Sequence, residues 1–400
     1  AGEYFTPREV IQLMVNVLFV HEKEKLQKKG MVHTIYDPAS GTGGMLSIAS
    51  EYIEGINDEA IVDTYGQELN DETYAVCKSD MLIKDLDLDR IKQGNSLIFG
   101  NKGDGFYDSK FEYMLSNPPF GQDWTKYATG VQLESEKGLE GKYGVGIPRK
   151  SDGSLLFLSH MISKMKPKEE GGSRIAVVLN GSPLFTGEAN SGESNIRKWI
   201  IENDMLEAIV ALPHDMFYNT GIKTYIWVVS NNKHTKRKGK IQLINAVSDK
   251  FYKKMKSSLG KKRNLIDDDQ IDSITQIYDS FTEGEFSKIF NQKDFGYARI
   301  TVERALKRNF KVSKERLENL TQENAFKKLD EVKTKPNMPR TKDVHAILSK
   351  MPTNTFKNHA DFSKKLDKLF SEADFKLSAS LKKLIENTLS ERDDTAEPQK

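Results

Sequence analysis

The chain has 400 residues, 37% of them apolar, enough to bury more than one core, so roughly two or three domains are expected. Its 60 Lys and Arg against 58 Asp and Glu leave a formal charge of +2, and any attraction for nucleic acid must therefore come from local clustering. A single cysteine, Cys77, excludes an intramolecular disulfide framework and cysteine-rich zinc sites and points to a reducing, cytoplasmic setting; the sequence shows neither an apolar run of membrane-spanning length nor a signal-peptide pattern.

Helical periodicity begins almost at once. Thr6 and Glu9 are spaced as a capping box with Pro7 at the first helical position, and Val10, Leu13, Met14, Val17 and Leu18 recur on one face. A short strand, Thr34-Ile35-Tyr36, leads into Asp37-Pro38-Ala39-Ser40-Gly41-Thr42-Gly43-Gly44 and then a helix with Leu46, Ile48, Ala49, Tyr52 and Ile53. Strand, glycine loop, helix is a nucleotide-binding layout, in which small residues let backbone amides approach a ligand. The loop is neither G-x-G-x-x-G nor a Walker loop, because no Gly-Lys-Ser/Thr follows. The next strand starts at Ile61 and ends in Glu68, 24 residues beyond Gly44. An acid at that strand end can accept hydrogen bonds from ribose hydroxyls; the other reading is an exposed residue leading the helix that Asn70-Asp71 caps.

Phe111 to Leu115 reads as a strand, and the consecutive prolines of Ser116-Asn117-Pro118-Pro119-Phe120 forbid it to continue. A rigid loop thus begins at Asn117. The Asn117 amide oxygen and the Pro118 carbonyl can accept hydrogen bonds from an amine, and Phe120 offers a stacking face, a set suited to a planar group carrying an amino function. Residues 121–147, rich in Gly, Lys and Glu, read as a long surface loop. A helix then opens at Ser154, with Leu155, Leu158, Met161, Ile162 and Met165 as a core stripe. Arg174 to Leu179 is a continuous apolar strand, typical of a sheet buried on both faces, and Leu206 to Leu212 and Thr224 to Ser230 are two more. Between those two, His214-Asp215 has no serine or cysteine nucleophile motif beside it and reads as loop. Strands alternating with helices give an α/β fold with a doubly wound, mostly parallel sheet. From 231 to 263 there are twelve Lys or Arg and one acid, Asp249, either a solvated face or a phosphate-contacting one. Residues 312–387 are charged and helical with apolar spacing, and the last residues read as disordered.

Taken in order, Asp37-Pro38-x-x-Gly41-Thr42-Gly43-Gly44 and Asn117-Pro118-Pro119-Phe120 resemble the cofactor and catalytic loops of S-adenosylmethionine-dependent amino-methyltransferases, above all those acting on adenine N6 in DNA. Met216 to Trp227 and Gly296 to Arg304 extend the likeness, to about residue 310, toward the modification subunit of Type I restriction-modification systems. The resemblance implies that Tyr4, Phe5 and Thr6, which otherwise read as the lead-in to an ordinary capped helix, line a pocket for S-adenosylmethionine with Asp37, Pro38, Ser40, Gly41, Thr42, Gly43, Gly44 and Glu68. It also implies that Asn95, in Gly94-Asn95-Ser96-Leu97 where the family usually has an acid, contacts the cofactor adenine. Asn117, Pro118, Pro119 and Phe120 become the catalytic loop, and Phe217, with Tyr218 as its competitor, packs against an extruded base. No metal is implied. A cytosine C5 enzyme would need a nucleophilic cysteine beside a proline, whereas Cys77 falls inside an expected helix.

Domains follow as 1–230 catalytic, 231–310 a basic extension, and 311–400 helical for subunit docking. Expected partners are DNA, a DNA-specificity subunit, a second copy of the chain and a restriction (nuclease/translocase) subunit, with no membrane. The family carries a helical domain ahead of the Phe-Thr-Pro motif, which this sequence lacks, so the chain reads as a fragment or split product. Two other functions stay open: a protein or RNA amino-methyltransferase, and a cofactor-binding assembly subunit without activity. A nuclease finds no carboxylate-lysine metal pattern here.

Overall fold

The computed structural model of the chain describes residues 5–298, 300, 302, 305–331 and 337–399. Tyr4 lies outside them, as do Arg299, Thr301, Glu303 and Arg304 of the Gly296 to Arg304 motif. The chain divides into two compact units, Ala1–Ala298 and Arg299–Lys400.

In the first unit the strands are β1 (Val32–Asp37), β2 (Ile61–Glu68), β3 (Ile91–Gln93), β4 (Tyr113–Ser116), β5 (Arg174–Asn180), β6 (Leu206–Ala211), β7 (Thr224–Ser230) and β8 (Lys240–Asn245), then a separate two-stranded ribbon of β9 (Lys253–Leu259) and β10 (Lys262–Leu265), and finally β11 (Ser287–Asn291). Nine of them form one sheet in the order β11-β8-β6-β7-β5-β4-β1-β2-β3. The sheet is parallel from β5 through β4, β1 and β2 to β3, and again between β6 and β8. Antiparallel β7 sits between β5 and β6, and β11 pairs antiparallel with β8. The expected doubly wound, mostly parallel sheet is thus what forms, with β7 and β11 as its antiparallel members. The stretch read as a basic extension supplies β8 and β11 to this same sheet.

Two apolar layers cover the sheet. One gathers the helix Arg8–Phe19, the helix Gly44–Ile56, the buried sides of β1, β4 and β5, and Ile271, Ile274 and Tyr278 of the helix Asp268–Ser280. The other packs Tyr36, Phe111 and Met114 against Leu155, Leu158 and Met161 of the helix Ser154–Ser163. The apolar stripes seen in the sequence are the sides that face these layers.

Chain order places the crevice. From β1 the connections run outward through β2 to β3, whereas β4 returns to the other side of β1 and β5 follows it. Neighbouring loops at the carboxyl ends of β1 and β4 therefore leave in opposite directions, the switch point at which open α/β sheets bind ligands.

The second unit has its own core. Phe310, Leu320, Phe326, Val344, Leu348, Phe362, Leu366, Phe370 and Ile385 are buried together, contributed largely by the helices Lys314–Gln322, Thr341–Leu348, His359–Glu372 and Ala379–Thr388. Strands β12 (Arg308–Phe310) and β13 (Ser390–Arg392) pair antiparallel. The end of the chain, expected to be disordered, is ordered through Gln399: the Gln399 amide donates to the Leu306 carbonyl at 2.8 Å and Ala396 is buried. Hydrogen bonding to β12 and its flank supplies the order that its composition does not.

Candidate active site

A cavity of about 770 Å³ opens at the switch point. The loop after β1 forms one wall and is stapled in place from three directions. Ser40 donates its backbone N–H to the Gln67 carbonyl (3.0 Å), Gly41 donates to Glu68 Oε2 (2.9 Å), and Ala39 donates to Asp37 Oδ1 (3.0 Å). Gly41 has φ +54° and Gly43 has φ +86°, the left-handed region where a side chain costs about 1–2 kcal/mol. A Cβ on Gly43 would also stand 2.6 Å from Met81 Cε and 3.0 Å from Cys77 Sγ. The turn thereby passes directly into the helix Gly44–Ile56.

The loop after β4 forms the facing wall. Ser116 Oγ donates to Asp37 Oδ1 at 2.7 Å, so one carboxylate joins the ends of β1 and β4. Burial pushes the Asp37 carboxyl up to about 7, opposing the bonds from Ala39 and Ser116 that lower it, while the nearby Glu68 charge adds to the rise. Asn117 Nδ2 donates to Thr6 Oγ1 at 2.8 Å. Thr6 therefore does not cap the first helix: that helix is Arg8–Phe19 with Pro7 as N-cap and no side-chain cap bond, and Glu9 pairs instead with Lys262. The Phe120 ring meets the edge of Phe217 at 5.9 Å between centroids, 87° apart.

The sequence model of the N-6 DNA Methylase family matches residues 1–324. The chain belongs to this family. Among curated proteins it is similar to the Type I restriction enzyme MjaIX methylase subunit of Methanocaldococcus jannaschii, 30% identical over 75% of this chain and 48% of that protein. It is also 30% identical to the HindI methylase subunit of Haemophilus influenzae, over 62% of this chain and 49% of that one. The chain spans about half the length of these relatives. A solved type I restriction-modification system methyltransferase subunit from Streptococcus thermophilus shares the fold, with TM-score 0.60 and 24% identity over 73% of this chain and 56% of that chain.

The fold of this family member brings most of the expected site residues together. Phe5, Thr6, Asp37, Pro38, Ser40, Gly41, Thr42, Gly44, Glu68, Asn95, Asn117 and Pro119 line the cavity. Gly43 stands behind it, against Met81 and Cys77. Pro118 is buried beside Asn117, and Phe120 and Phe217 belong to the apolar core next to the cavity, Phe217 only 1% exposed. Tyr218 is the more accessible of the disputed pair. Glu68 ends β2 as expected, and its Oε1 also accepts from the Leu69 and Asn70 amides at 2.8 Å. Asn95 turns its amide oxygen to the Leu97 N–H at 3.0 Å.

The far wall was not foreseen. Residues 121–147 are not a surface loop: they contain the helix Ala128–Glu136, and Trp124, Val131 and Tyr143 share a core with Leu97, Leu156 and Phe157. Lys142 Nζ donates to the Ser96 carbonyl (3.0 Å) and pairs with Asp104 (2.7 Å), and the Tyr143 hydroxyl donates to the Leu97 carbonyl (2.8 Å). The segment is thereby fastened to the Asn95 turn and presents Trp124 and Tyr127, with Phe157, to the cavity. A tryptophan amid Gly, Lys and Glu was the one local signal of a buried anchor. Among the described residues no group of three or more His, Cys, Asp or Glu could hold a metal, and no helix is long and apolar enough to cross a membrane.

Proposed function

We propose that the chain carries the catalytic part of a DNA adenine-N6 methyltransferase that acts as the modification subunit of a Type I restriction-modification assembly. The observation that carries this reading is the meeting of the Asp37–Gly44 and Asn117–Phe120 loops around one cavity, tied by the Ser116-to-Asp37 bond and by Asn117 to Thr6.

The cavity suits S-adenosylmethionine. It has a glycine turn, an acid at the end of β2, a buried carboxyl at Asp37 for a cationic ligand, and an aromatic wall of Trp124, Tyr127 and Phe157 for a purine. When bound, that cofactor supplies a methyl group activated on a sulfonium sulfur. Asp37, Gly41 and Thr42 would hold its amino-acid end together with Phe5 and Thr6, and Glu68 and Asn95 its nucleoside.

The chain's own work is done on the amine. An adenine N6 lone pair is delocalised into the ring and is a poor nucleophile. Acceptance of its hydrogens by Asn117 Oδ1 and the Pro118 carbonyl favours tetrahedral nitrogen and frees that lone pair for in-line attack. Thr6 holds Nδ2 of Asn117, fixing the amide with its oxygen as the acceptor. Pro119 keeps the loop rigid, and Phe120, buttressed edge-on by Phe217, stacks on the extruded base. The expected partners are DNA, a specificity subunit met through the C-terminal helices, and a restriction subunit.

Methyl transfer from tritiated S-adenosylmethionine to duplex DNA, with a specificity subunit supplied, tests the reading. Incorporation into DNA that Asn117→Ala abolishes while cofactor binding persists supports it. Incorporation only into protein or RNA overturns the substrate, and a folded wild-type chain that binds no cofactor overturns the enzyme.

A further inference from the structure

Three cations of the basic run between 231 and 263 turn out to be structural. Lys233 pairs with Asp204 at 2.7 Å, Arg237 is buried against Glu207, and Lys262 reaches Glu9, the Met216 carbonyl (3.2 Å) and the Asn264 carbonyl (2.8 Å). The remaining charge concentrates on the β9–β10 ribbon. Lys254 and Lys256 stand two residues apart on β9, and Lys261 and Arg263 two apart beside and on β10, so each pair shares a face of its strand. All four are exposed, and no ion pair to any of them exists among the described residues. Lys253 differs, being paired with Asp267.

This ribbon is bolted to the catalytic pocket. Its backbone docks on residues 215–218: Lys261 N–H donates to the Tyr218 carbonyl (2.8 Å) and Arg263 N–H to the Asp215 carbonyl (2.9 Å). Asn264 Nδ2 donates to the His214 carbonyl (2.7 Å). That segment carries Phe217, the ring on Phe120. Through Lys262 and Glu9 the ribbon is also tied to the helix that follows Thr6, the partner of Asn117. Four cations with no ion pair among the described residues are thus carried by a ribbon whose β10 side is anchored to the Phe217 segment and to the helix next to Thr6, with β9 paired to β10. A group extruded into that loop arrives on a polyanion, and the charge complementarity selects its backbone over a neutral or basic partner.

We propose that the β9–β10 ribbon is a phosphate clamp, on which Lys254, Lys256, Lys261 and Arg263 grip the duplex backbone flanking the target base. The inference rests on the reading of the substrate as DNA. It assigns positioning, with no base readout, so binding through the ribbon is independent of sequence and strongly salt-dependent.

The test uses the full chain and a fluorescent duplex of arbitrary sequence, with anisotropy followed across a salt series. Replacing all four residues by Gln is expected to lower the slope of log Kd against log salt by about 3 to 4, at about 0.9 per phosphate contact, with S-adenosylmethionine affinity unchanged. Because β10 carries the anchoring bonds, Lys254→Gln with Lys256→Gln is the companion variant. It leaves those bonds intact and is expected to lose about half of that slope. A slope unchanged in both variants, with wild type binding duplex, overturns the clamp and leaves the DNA reading standing. Failure of wild type to bind any duplex at low salt while it methylates protein or RNA overturns the DNA reading and the clamp with it.

Discussion

The amide nitrogen of Asn117 is held by the hydroxyl of Thr6, 2.8 Å away and 111 residues earlier in the chain. A planar amide fixed at its donor edge has its acceptor edge fixed too, so the hydroxyl sets the direction of the oxygen assigned to the amine. Thr6→Val keeps the side-chain volume and removes the acceptor. At saturating cofactor it is expected to lower kcat about tenfold, the worth of one such hydrogen bond, over and above any weakening of cofactor binding, and Thr6→Ser is expected to restore the rate. A loss confined to Kd would assign Thr6 to the cofactor alone.

Asp37 gives the site a pH dependence of definite sign. Its carboxyl is pushed up to about 7 by burial, and a cationic ligand beside it favours the ionised form, which requires a proton to leave below that value. S-adenosylmethionine affinity is therefore expected to rise with pH between about 6 and 8, with proton uptake by the buffer visible in calorimetry, and to be flat in Asp37→Asn. Stability moves the other way. A carboxyl raised from 3.8 to about 7 in the folded state stabilises fully below 3.8, and that contribution is lost as pH rises to 7. Above pH 7 the ligand-free Asn variant is expected to melt above wild type.

Glu207 anchors the opposite end of the sheet. It is buried, pairs with Arg174 Nη1 (3.1 Å) and Arg237 Nε (3.4 Å), and accepts the Tyr278 hydroxyl. Burial opposes its ionisation, yet the two guanidinium groups hold it at about 2. Glu207→Gln leaves two buried cations under-compensated and is expected to cost about 3–5 kcal/mol in urea unfolding. In wild type, the stabilisation this depressed carboxyl gives above pH 4.5 is lost as pH falls toward 2. A cost below 1 kcal/mol on the order of a surface pair would mean that water or rearrangement satisfies the arginines.

Gly43 separates backbone from ligand effects. Its φ of +86° and the crowding by Met81 and Cys77 make Gly43→Ala a stability variant, expected to cost about 1–2 kcal/mol from the left-handed backbone alone. Cofactor affinity of the fraction that folds is expected to stay within about fourfold of wild type, the worth of about 0.8 kcal/mol for one methyl, since the added carbon points into protein, toward Met81 and Cys77. A large affinity loss at unchanged melting temperature would place Gly43 against the ligand.

How much of this was legible depended on how local the cause is. Strand, glycine loop and helix around Asp37–Gly44, and the proline-stopped strand before Asn117, are dictated by neighbours in sequence, and both sit where their patterns put them. The Thr6–Glu9 spacing also has a local reading as a cap, and it failed because Asn117 and Lys262, remote in sequence, compete for those side chains. Charge misled in the same way. Lys233, Arg237 and Lys262 look like surface until Asp204, Glu207 and Glu9 fold beside them. Antiparallel β7 carries the same apolar run as its parallel neighbours, so no periodicity marks its direction.

The aromatic wall is the part of the pocket with the least signal in sequence, and Tyr127 is its most accessible ring. Trp124 is too deep in the Leu97, Val131 and Phe157 core for a substitution there to report on ligand alone, because loss of a buried tryptophan costs about 3–5 kcal/mol. Tyr127 is only partly buried and lines the cavity. Stacking of a base on an aromatic ring is worth about 1–3 kcal/mol, so Tyr127→Ala is expected to raise the S-adenosylmethionine Kd about tenfold, with Tyr127→Phe close to wild type. Competition separates the ends of the ligand. Adenosine is expected to weaken in parallel while methionine does not, since the wall faces the Asn95 turn and the methionine end is assigned to the Asp37–Thr42 loop. Equal weakening of both competitors would mean that the wall shapes the whole cavity, and no weakening of adenosine would move the purine away from Tyr127.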